Sequence, residues 1–286
     1  MGRDTRRIDR RHIGDQQRRI GLGVTGLADA LATTQNITVF APTDEAFAKI
    51  PKAQLDALLK GFSAAIWTPL PGPQTMAWES QADVIGFGGA AGGGKSDLMI
   101  AKSMMQHERS MIVRRNGTEL TAIIDRISEL HGSRDGLNGK DMIWRFEGRQ
   151  VEFGSVPNAG DERKYQGRPH DFIGFDETTN LLQSQVRFLM GWLRTTNPGQ
   201  RTQVLMTFNP PTTAEGRWVI DFFAPWLDPS HPCPALPGEL RWFATLGGKD
   251  VEVVNGEPFY HGNELITPQS RTFIPSRITD NPYLMG

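Results

Sequence analysis

The run Gly89-Ala90-Ala91-Gly92-Gly93-Gly94-Lys95-Ser96 has the spacing Gly-x-x-x-x-Gly-Lys-Ser. Glycines so placed let backbone amides curve inward around an anion, and Gly89, Gly92, Gly93 and Gly94 are the candidates for cradling a β-phosphate. Lys95 can neutralise β and γ oxygens, and Ser96 can supply a Mg²⁺ ligand. The expected ligand is therefore ATP with Mg²⁺. Well downstream, Asp176-Glu177 closes the short apolar run Phe172-Ile173-Gly174-Phe175. Acids at the carboxyl end of a parallel strand sit beside the ligand crevice. There Asp176 can hold Mg²⁺, directly or through water, while Glu177 can orient and polarise the attacking water. Joined to the glycine-rich loop, the pair points to ATP hydrolysis rather than binding alone.

Three further groups carry possible chemistry. Val204-Leu205-Met206-Thr207-Phe208 ends in Asn209-Pro210, and either Thr207 or Asn209 could sense a γ-phosphate through a hydrogen bond. Arg114-Arg115 follows Met111-Ile112-Val113, and either arginine could stabilise charge developing on a transferred phosphate, in its own subunit or a neighbouring one. Arg163, Lys164 and Arg168 surround Tyr165-Gln166-Gly167; this basic loop could touch phosphate or another subunit, or simply be solvated. The histidines are scattered and Cys233 is the single cysteine, which leaves no zinc-ligand cluster and no intrachain disulfide.

These groups need a frame that brings strand ends together. Apolar runs predict strands over residues 84–87, 111–114, 172–175 and 204–208, alternating with helices that include 96–107 and 181–193. That alternation predicts an α/β fold of the P-loop NTPase kind, with a mostly parallel central sheet flanked by helices. Two hairpin insertions are expected, 142–146 with 150–153 around Glu147-Gly148 and 240–245 with 251–254 around Gly247-Gly248. Pro69, Pro71, Gly72 and Pro73 read as a stiff, turn-rich entry to this unit.

The chain has 286 residues, 38% hydrophobic and 22% charged, with a formal net charge of -1. Disorder throughout and a fibrous repeat are both excluded by that composition. Near-neutrality gives no global signal for a polyanion partner, although residues 1–20 hold seven arginines against three aspartates. No run approaches the roughly 20 apolar residues that cross a bilayer, so no membrane partner is expected, and the basic start lacks the apolar stretch of a secretory signal. The chain divides into a basic, disordered leader (1–20), a small appendage (21–61) and the ATPase unit (62–286). Within the appendage, Thr38-Val39-Phe40-Ala41-Pro42-Thr43-Asp44-Glu45-Ala46-Phe47 resembles the opening of a fasciclin-type domain.

The order of motifs in 62–286 resembles the ATPase region of tailed-bacteriophage terminase large subunits. Its phrases are Pro71-Gly72-Pro73-Gln74, the loop ending at Ser96, Val113-Arg114-Arg115-Asn116, Lys164-Tyr165-Gln166-Gly167, Ile173-Gly174-Phe175-Asp176-Glu177, Thr207-Phe208-Asn209-Pro210, Phe273-Ile274-Pro275 and Asp280-Asn281-Pro282-Tyr283-Leu284. The resemblance implies an ATP-driven motor that packages double-stranded viral DNA into a prohead, working as a ring of copies on the portal protein with a small terminase subunit, in the cytoplasm of a bacterial host. It implies that Gln74 senses adenine, that Asp176 and Glu177 are the metal-binding and catalytic acids, that Thr207 to Asn209 couple hydrolysis to movement, and that Arg114 or Arg115 is the arginine sensor or finger. The family's metal-dependent nuclease domain would follow the last of these phrases, so DNA cutting is not expected of this chain. The alternatives are another DNA-associated P-loop ATPase, such as a helicase-like motor, or an inactive prophage remnant.

Overall fold

A computed structural model describes residues 67–90, 92–281 and 283. The basic leader and the 21–61 appendage lie outside the described residues. The fold is that of the unit Pro69–Gly286.

Each apolar run predicted as a strand becomes one. They are β1 (Val84–Gly89), β2 (Arg109–Arg114), β6 (Phe172–Phe175) and β7 (Gln203–Phe208). Their interiors are buried, as continuous Val/Ile/Phe/Met runs require in a sheet covered on both faces. Two more strands join the parallel set, β5 (Arg149–Ser155) and β12 (Gln269–Ser276). The parallel order is β5-β2-β6-β7-β1-β12. β12 was not foreseen, because Pro275 interrupts it. β8 (Arg241–Leu246) pairs only with residues 269–271, so the outer flank of β12 has no strand beside Pro275, and an edge tolerates proline.

The two hairpins form at the expected turns, where Glu147 and Gly148, and then Gly247 and Gly248, take positive φ. Both insertions join the central sheet. β4 (Ile143–Phe146) pairs antiparallel with β5, and β9 (Lys249–Val253) with β8, so both hairpins extend the central sheet. With the short β3 (Leu137–Asn138) at the far edge, the described sheet has ten strands. A separate antiparallel pair, β10 (Phe259–His261) and β11 (Glu264–Ile266), stands apart from it.

Helices flank this sheet. The predicted turn-rich entry turns at Pro71-Gly72, and α1 (Pro73–Glu79) follows it: Pro73 sits at the first helical position, where its fixed φ suits a helix and its missing N–H costs nothing. α2 (Lys95–Ala101) is buried from Leu98 to Ala101 and continues as a π-turn, Lys102–Gln106, filling most of the predicted 96–107 helix. α3 (Leu120–His131) buries Leu120, Ile123, Ile124 and Ile127, the i, i+3, i+4, i+7 stripe of an amphipathic helix. Gly132 at φ 80 ends it, its N–H returning to the Ser128 carbonyl. α4 (Gln183–Met190) is shorter than the predicted 181–193, and α5 (Trp218–Phe222) and α6 (Ala224–Leu227) are brief. The core combines Val113, Phe175 and Met206 of the sheet with Val186 and Leu189 of α4 and the aromatic group Phe208, Phe223 and Phe273. Those three rings lie 5.7–6.0 Å apart.

Candidate functional site

The parallel order places the carboxyl ends of β1, β2, β6 and β7 side by side, and every sequence-predicted group except the basic loop follows one of those ends or lies on the entry helix α1. The glycine-rich loop links β1 to α2. Gly94 caps α2 in the left-handed region at φ 70, and Gly89 and Gly92 also have positive φ, conformations that side chains resist. Space demands glycine too. A Cβ at Gly89 would collide with the Ser276 carbonyl, one at Gly93 with the Ser276 hydroxyl, and one at Gly94 with the Gln74 amide.

Asp176 is the centre of the constellation. It is buried at the end of β6, where its N–H donates to the Val113 carbonyl. Thr207 Oγ1 donates to its Oδ1 at 2.5 Å, while Ser96 Oγ lies 3.4 Å from its Oδ2. Arg114 donates to the same Oδ2 through Nε at 2.9 Å and Nη2 at 2.6 Å, and through Nη1 to the Glu119 carbonyl at 3.3 Å. Burial works against the Arg114 charge, but Asp176, Glu177 and Glu119 outweigh it and raise the guanidinium's pKa. One carboxylate thus joins the ends of β2, β6 and β7 to the start of α2.

Glu177 differs from its neighbour. Its side chain is 44% exposed and its φ of 52 places a non-glycine residue in the left-handed region. Asn180 Nδ2 donates to one of its carboxylate oxygens at 3.2 Å, and Arg114 Nη2 lies 3.8 Å from the other. Thr178 Oγ1 secures the turn by donating to the Phe175 and Thr207 carbonyls, at 2.8 and 3.1 Å. Lys95 bends back over its own loop, its Nζ 2.6 Å from the Ala90 carbonyl and 3.4 Å from that of Gly89. Burial lowers its pKa, opposed by Asp176 and Glu177.

The remaining predicted residues divide. Arg115 sits at the surface, bonded to the Asn180 carbonyl and Glu215, each at 3.0 Å. Asn209 is exposed just beyond β7. Gln74 is buried under the loop: its Oε1 accepts from the Leu70 N–H at 2.6 Å and its Nε2 donates to the Gly94 carbonyl at 2.9 Å. In the basic loop, Lys164 pairs with Asp161, Arg168 with Glu152, and Tyr165 Oη bridges the Ser155 backbone.

Two loop contacts had no role from sequence. Asn281 Nδ2 donates to the Gly92 carbonyl at 2.9 Å. Ser276 is buried, and its hydroxyl takes no partner among the described residues. Only the β1–β12 register, with Gly89 opposite Ser276, reveals that neighbour. Among the described residues no three His, Cys, Asp or Glu side chains gather as a metal cluster, and no helix is long and apolar enough to cross a membrane.

The Fasciclin domain family matches residues 21–66, outside the described residues. No curated protein matches the chain. Among solved structures, the large terminase from a thermophilic bacteriophage, in complex with ATP-gamma-S, is similar at 14% identity and a TM-score of 0.45, over 76% of this chain and 47% of that one. The N-terminal domain of the DNA packaging ATPase from bacteriophage phi29 is similar at 17% identity and a TM-score of 0.38, over 54% of this chain and 85% of that one. For the HK97 bacteriophage large terminase the values are 13% and 0.35, over 70% and 41%. The chain thus covers less than half the length of these two large terminases.

Proposed function

We propose that residues 62–286 form a Mg²⁺-dependent ATPase, the motor core of a DNA-packaging machine of the large-terminase kind. The observation that carries the ATPase reading is the convergence on Asp176: Ser96, Arg114 and Thr207, far apart in sequence, all reach one buried carboxylate beside the glycine-rich loop. Packaging rests on the ordered sequence phrases and is the finer part of the proposal. Its partners would be double-stranded DNA, the portal protein, the small terminase subunit and other copies of this chain in a ring.

The donor set fits a Mg²⁺-bound triphosphate. Mg²⁺ takes hard oxygen ligands and keeps waters and phosphate oxygens for most positions, so a hydroxyl and one carboxylate suffice and a three-acid cage is not needed. Ser96 and Asp176 supply that pair. Bound Mg²⁺ would add positive charge against the β and γ oxygens. In this reading the chain's own residues do the rest. The amides of Gly92, Gly93 and Gly94 hold phosphate, and Lys95 exchanges the Ala90 carbonyl for phosphate oxygen. Glu177, exposed and turned out of the strand, orients the attacking water and accepts its proton. Arg114 lies within reach of both acids and takes up charge on the transferred group, while Thr207 and Asn209 report its departure along β7.

The test is ATP turnover by the purified chain, with and without Mg²⁺ and duplex DNA. Lys95→Ala is expected to weaken phosphate binding, and Glu177→Ala to keep binding while losing turnover. Unchanged hydrolysis in both variants would reject the site.

A further inference from the structure

We propose that a basic groove at the opposite end of the sheet from the glycine-rich loop binds the phosphate backbone of duplex DNA. This rests on the proposed action on DNA and gives that DNA a place on the chain. The groove lies where β2 and β5 begin and β4 ends. Strand register builds it: Arg109 stands opposite Gln150, and Gln150 opposite Arg145, so the three side chains form a row across β2, β5 and β4 on one sheet face. Two strand spacings put the two arginine backbones about 10 Å apart. Lys140 and the Gly167-Arg168-Pro169 segment border the same depression, which encloses about 580 Å³. A second hollow of about 440 Å³ shares Arg109, Arg145 and Gln150 and prolongs the groove toward Arg149.

The charges that face this groove are unbalanced. Arg109, Lys140 and Arg145 are exposed, and none has a side-chain hydrogen bond or ion pair among the described residues. Four acids line the two hollows: Asp141 and Glu152 in the first, and Glu108 and the exposed Glu147 in the second, Glu147 with no side-chain partner among the described residues. Glu152 is buried and pairs with Arg168 and with His170 Nε2 at 3.0 Å. Burial alone would raise its pKa, but His170 and Arg168 hold it below the usual carboxylate range. Asp141 accepts from Asn138 Nδ2 at 2.7 Å. In the first hollow four cations, Arg109, Lys140, Arg145 and Arg168, thus face two acids, Asp141 and Glu152, over a polar floor, and it is this hollow that carries the positive surplus; Glu108 and Glu147 offset two of the three arginines of the second.

The lining chooses between anionic partners. A protein partner would need a desolvated apolar or aromatic anchor at the centre of its footprint. Here the centre is Gln150, and the apolar lining is the half-buried Ile143 and Pro169 in the first hollow and Phe146, itself buried in the protein, in the second. Arginine, lysine and glutamine without apolar pockets are what backbone contacts to nucleic acid use. The basic loop singled out by sequence contributes as a border: its own Lys164 and Arg168 are paired within the protein, and the free cations come from the strands and from Lys140.

The deciding measurement is binding of a fluorescein-labelled 30-base-pair duplex to the full chain by anisotropy between 50 and 200 mM salt. Replacing Arg109, Lys140 and Arg145 together by glutamine should weaken binding at least tenfold. It should also flatten the slope of log K against log salt by two to three, since each phosphate contact contributes about 0.9. Arg145→Gln alone should flatten it by about one, which keeps the test valid if the triple variant folds poorly. Lys249→Gln, at the other sheet edge, should change neither quantity, and ATP turnover without DNA should be unaltered in all variants. Unchanged affinity and slope in the triple variant, equal losses in Lys249→Gln, or no duplex binding by the parent chain at 50 mM salt would each overturn the groove assignment, even with ATP turnover intact. Tighter binding of poly-glutamate than of duplex, lost in the triple variant, would make the occupant an acidic protein and overturn it as well.

Discussion

Arg114 grips the Asp176 oxygen that Ser96 also approaches: its Nε and Nη2 lie 2.9 and 2.6 Å from Oδ2, and Ser96 Oγ lies 3.4 Å from the same atom. A cation thus stands where the proposed Mg²⁺ would need negative charge. Removing it should affect metal and catalysis in opposite directions. Arg114→Gln is expected to tighten Mg²⁺-dependent binding of a fluorescent ATP analogue several-fold, leave Mg²⁺-free binding in EDTA unchanged, and lower turnover by about 10² or more. Arg115 bonds instead to Glu215 and the Asn180 carbonyl at the surface, so Arg115→Gln should alter these quantities less than twofold. Equal effects from both substitutions would refute the assignment of Arg114 as the phosphate-facing arginine.

Gln74 offers a second separation. Sequence resemblance casts it as an adenine reader, yet its amide is occupied in bracing the glycine-rich loop against Leu70. Loss of a brace weakens whatever the loop holds, whereas loss of an adenine contact weakens only ligands with that base. Gln74→Ala should therefore reduce affinity for inorganic tripolyphosphate and for ATP by the same factor, about three- to tenfold, the size of one or two hydrogen bonds. Calorimetric titration with both ligands decides, and a loss confined to ATP would return Gln74 to adenine reading.

Much of this site was legible because chemistry and structure share one signal. A strand that ends in acids or arginines announces both its span and its carboxyl terminus, so Phe172–Phe175 appeared with its predicted limits and delivered Asp176 to the crevice. Arg114 and Thr207 followed for the same reason. What stayed hidden depends on pairing across long sequence distances. Ser276 reaches the loop only through the β1–β12 register, and Pro275 disguised that strand. Arg109, Lys140 and Arg145 look like unrelated surface charges until β2, β5 and β4 align. The choice between Arg114 and Arg115 also lay beyond strand-end reasoning, since either could follow β2; only the turn after β6 brings Asp176 to one of them.

Asp250 shows how β9 is fastened to the core. Arg187 of α4 donates to both of its oxygens, at 3.1 and 2.8 Å, and the buried Arg271 of β12 reaches Oδ2 at 2.6 Å. Arg271 also lies over the Phe222 ring, 3.7 Å from its centroid, and burial lowers its pKa to about 10 despite Asp250. For Asp250, burial would raise the pKa, but Arg187 and Arg271 prevail and hold it to about 2. Its contribution is therefore present above pH 3.8 and lost as pH falls through 2, about 2 kcal/mol in all. Asp250→Asn removes the same charge, leaves Arg271 buried without it, and should cost a similar amount, about 2 kcal/mol, at neutral pH, read from urea unfolding. A loss under about 1 kcal/mol would mean that solvent reaches Arg271 and the pair is not a fastening.

Lys102, just past α2, carries the opposite sign of pH dependence. Its side chain is buried, with Nζ donating to the Trp78 carbonyl at 3.1 Å and to Gln106 Oε1 and Gln203 Oε1, each at 2.9 Å. Burial, and then the charge of Arg201, lower its pKa to about 7. Below pH 7 the ammonium is charged in the folded and unfolded chain alike, and its burial penalty is felt in full. Between pH 7 and the unfolded value near 10.5 the folded protein releases the proton while the unfolded chain keeps it, so stability rises with pH. Lys102→Met has no proton to release. Relative to that variant, the parent chain should gain about 2 kcal/mol of unfolding free energy between pH 7 and 9, since one pKa unit corresponds to about 1.4 kcal/mol. Urea unfolding of both proteins across that range isolates the difference from other titrating groups. Parallel stability curves would show that Lys102 keeps its charge in the folded state and that its three acceptors, not its burial, set its pKa.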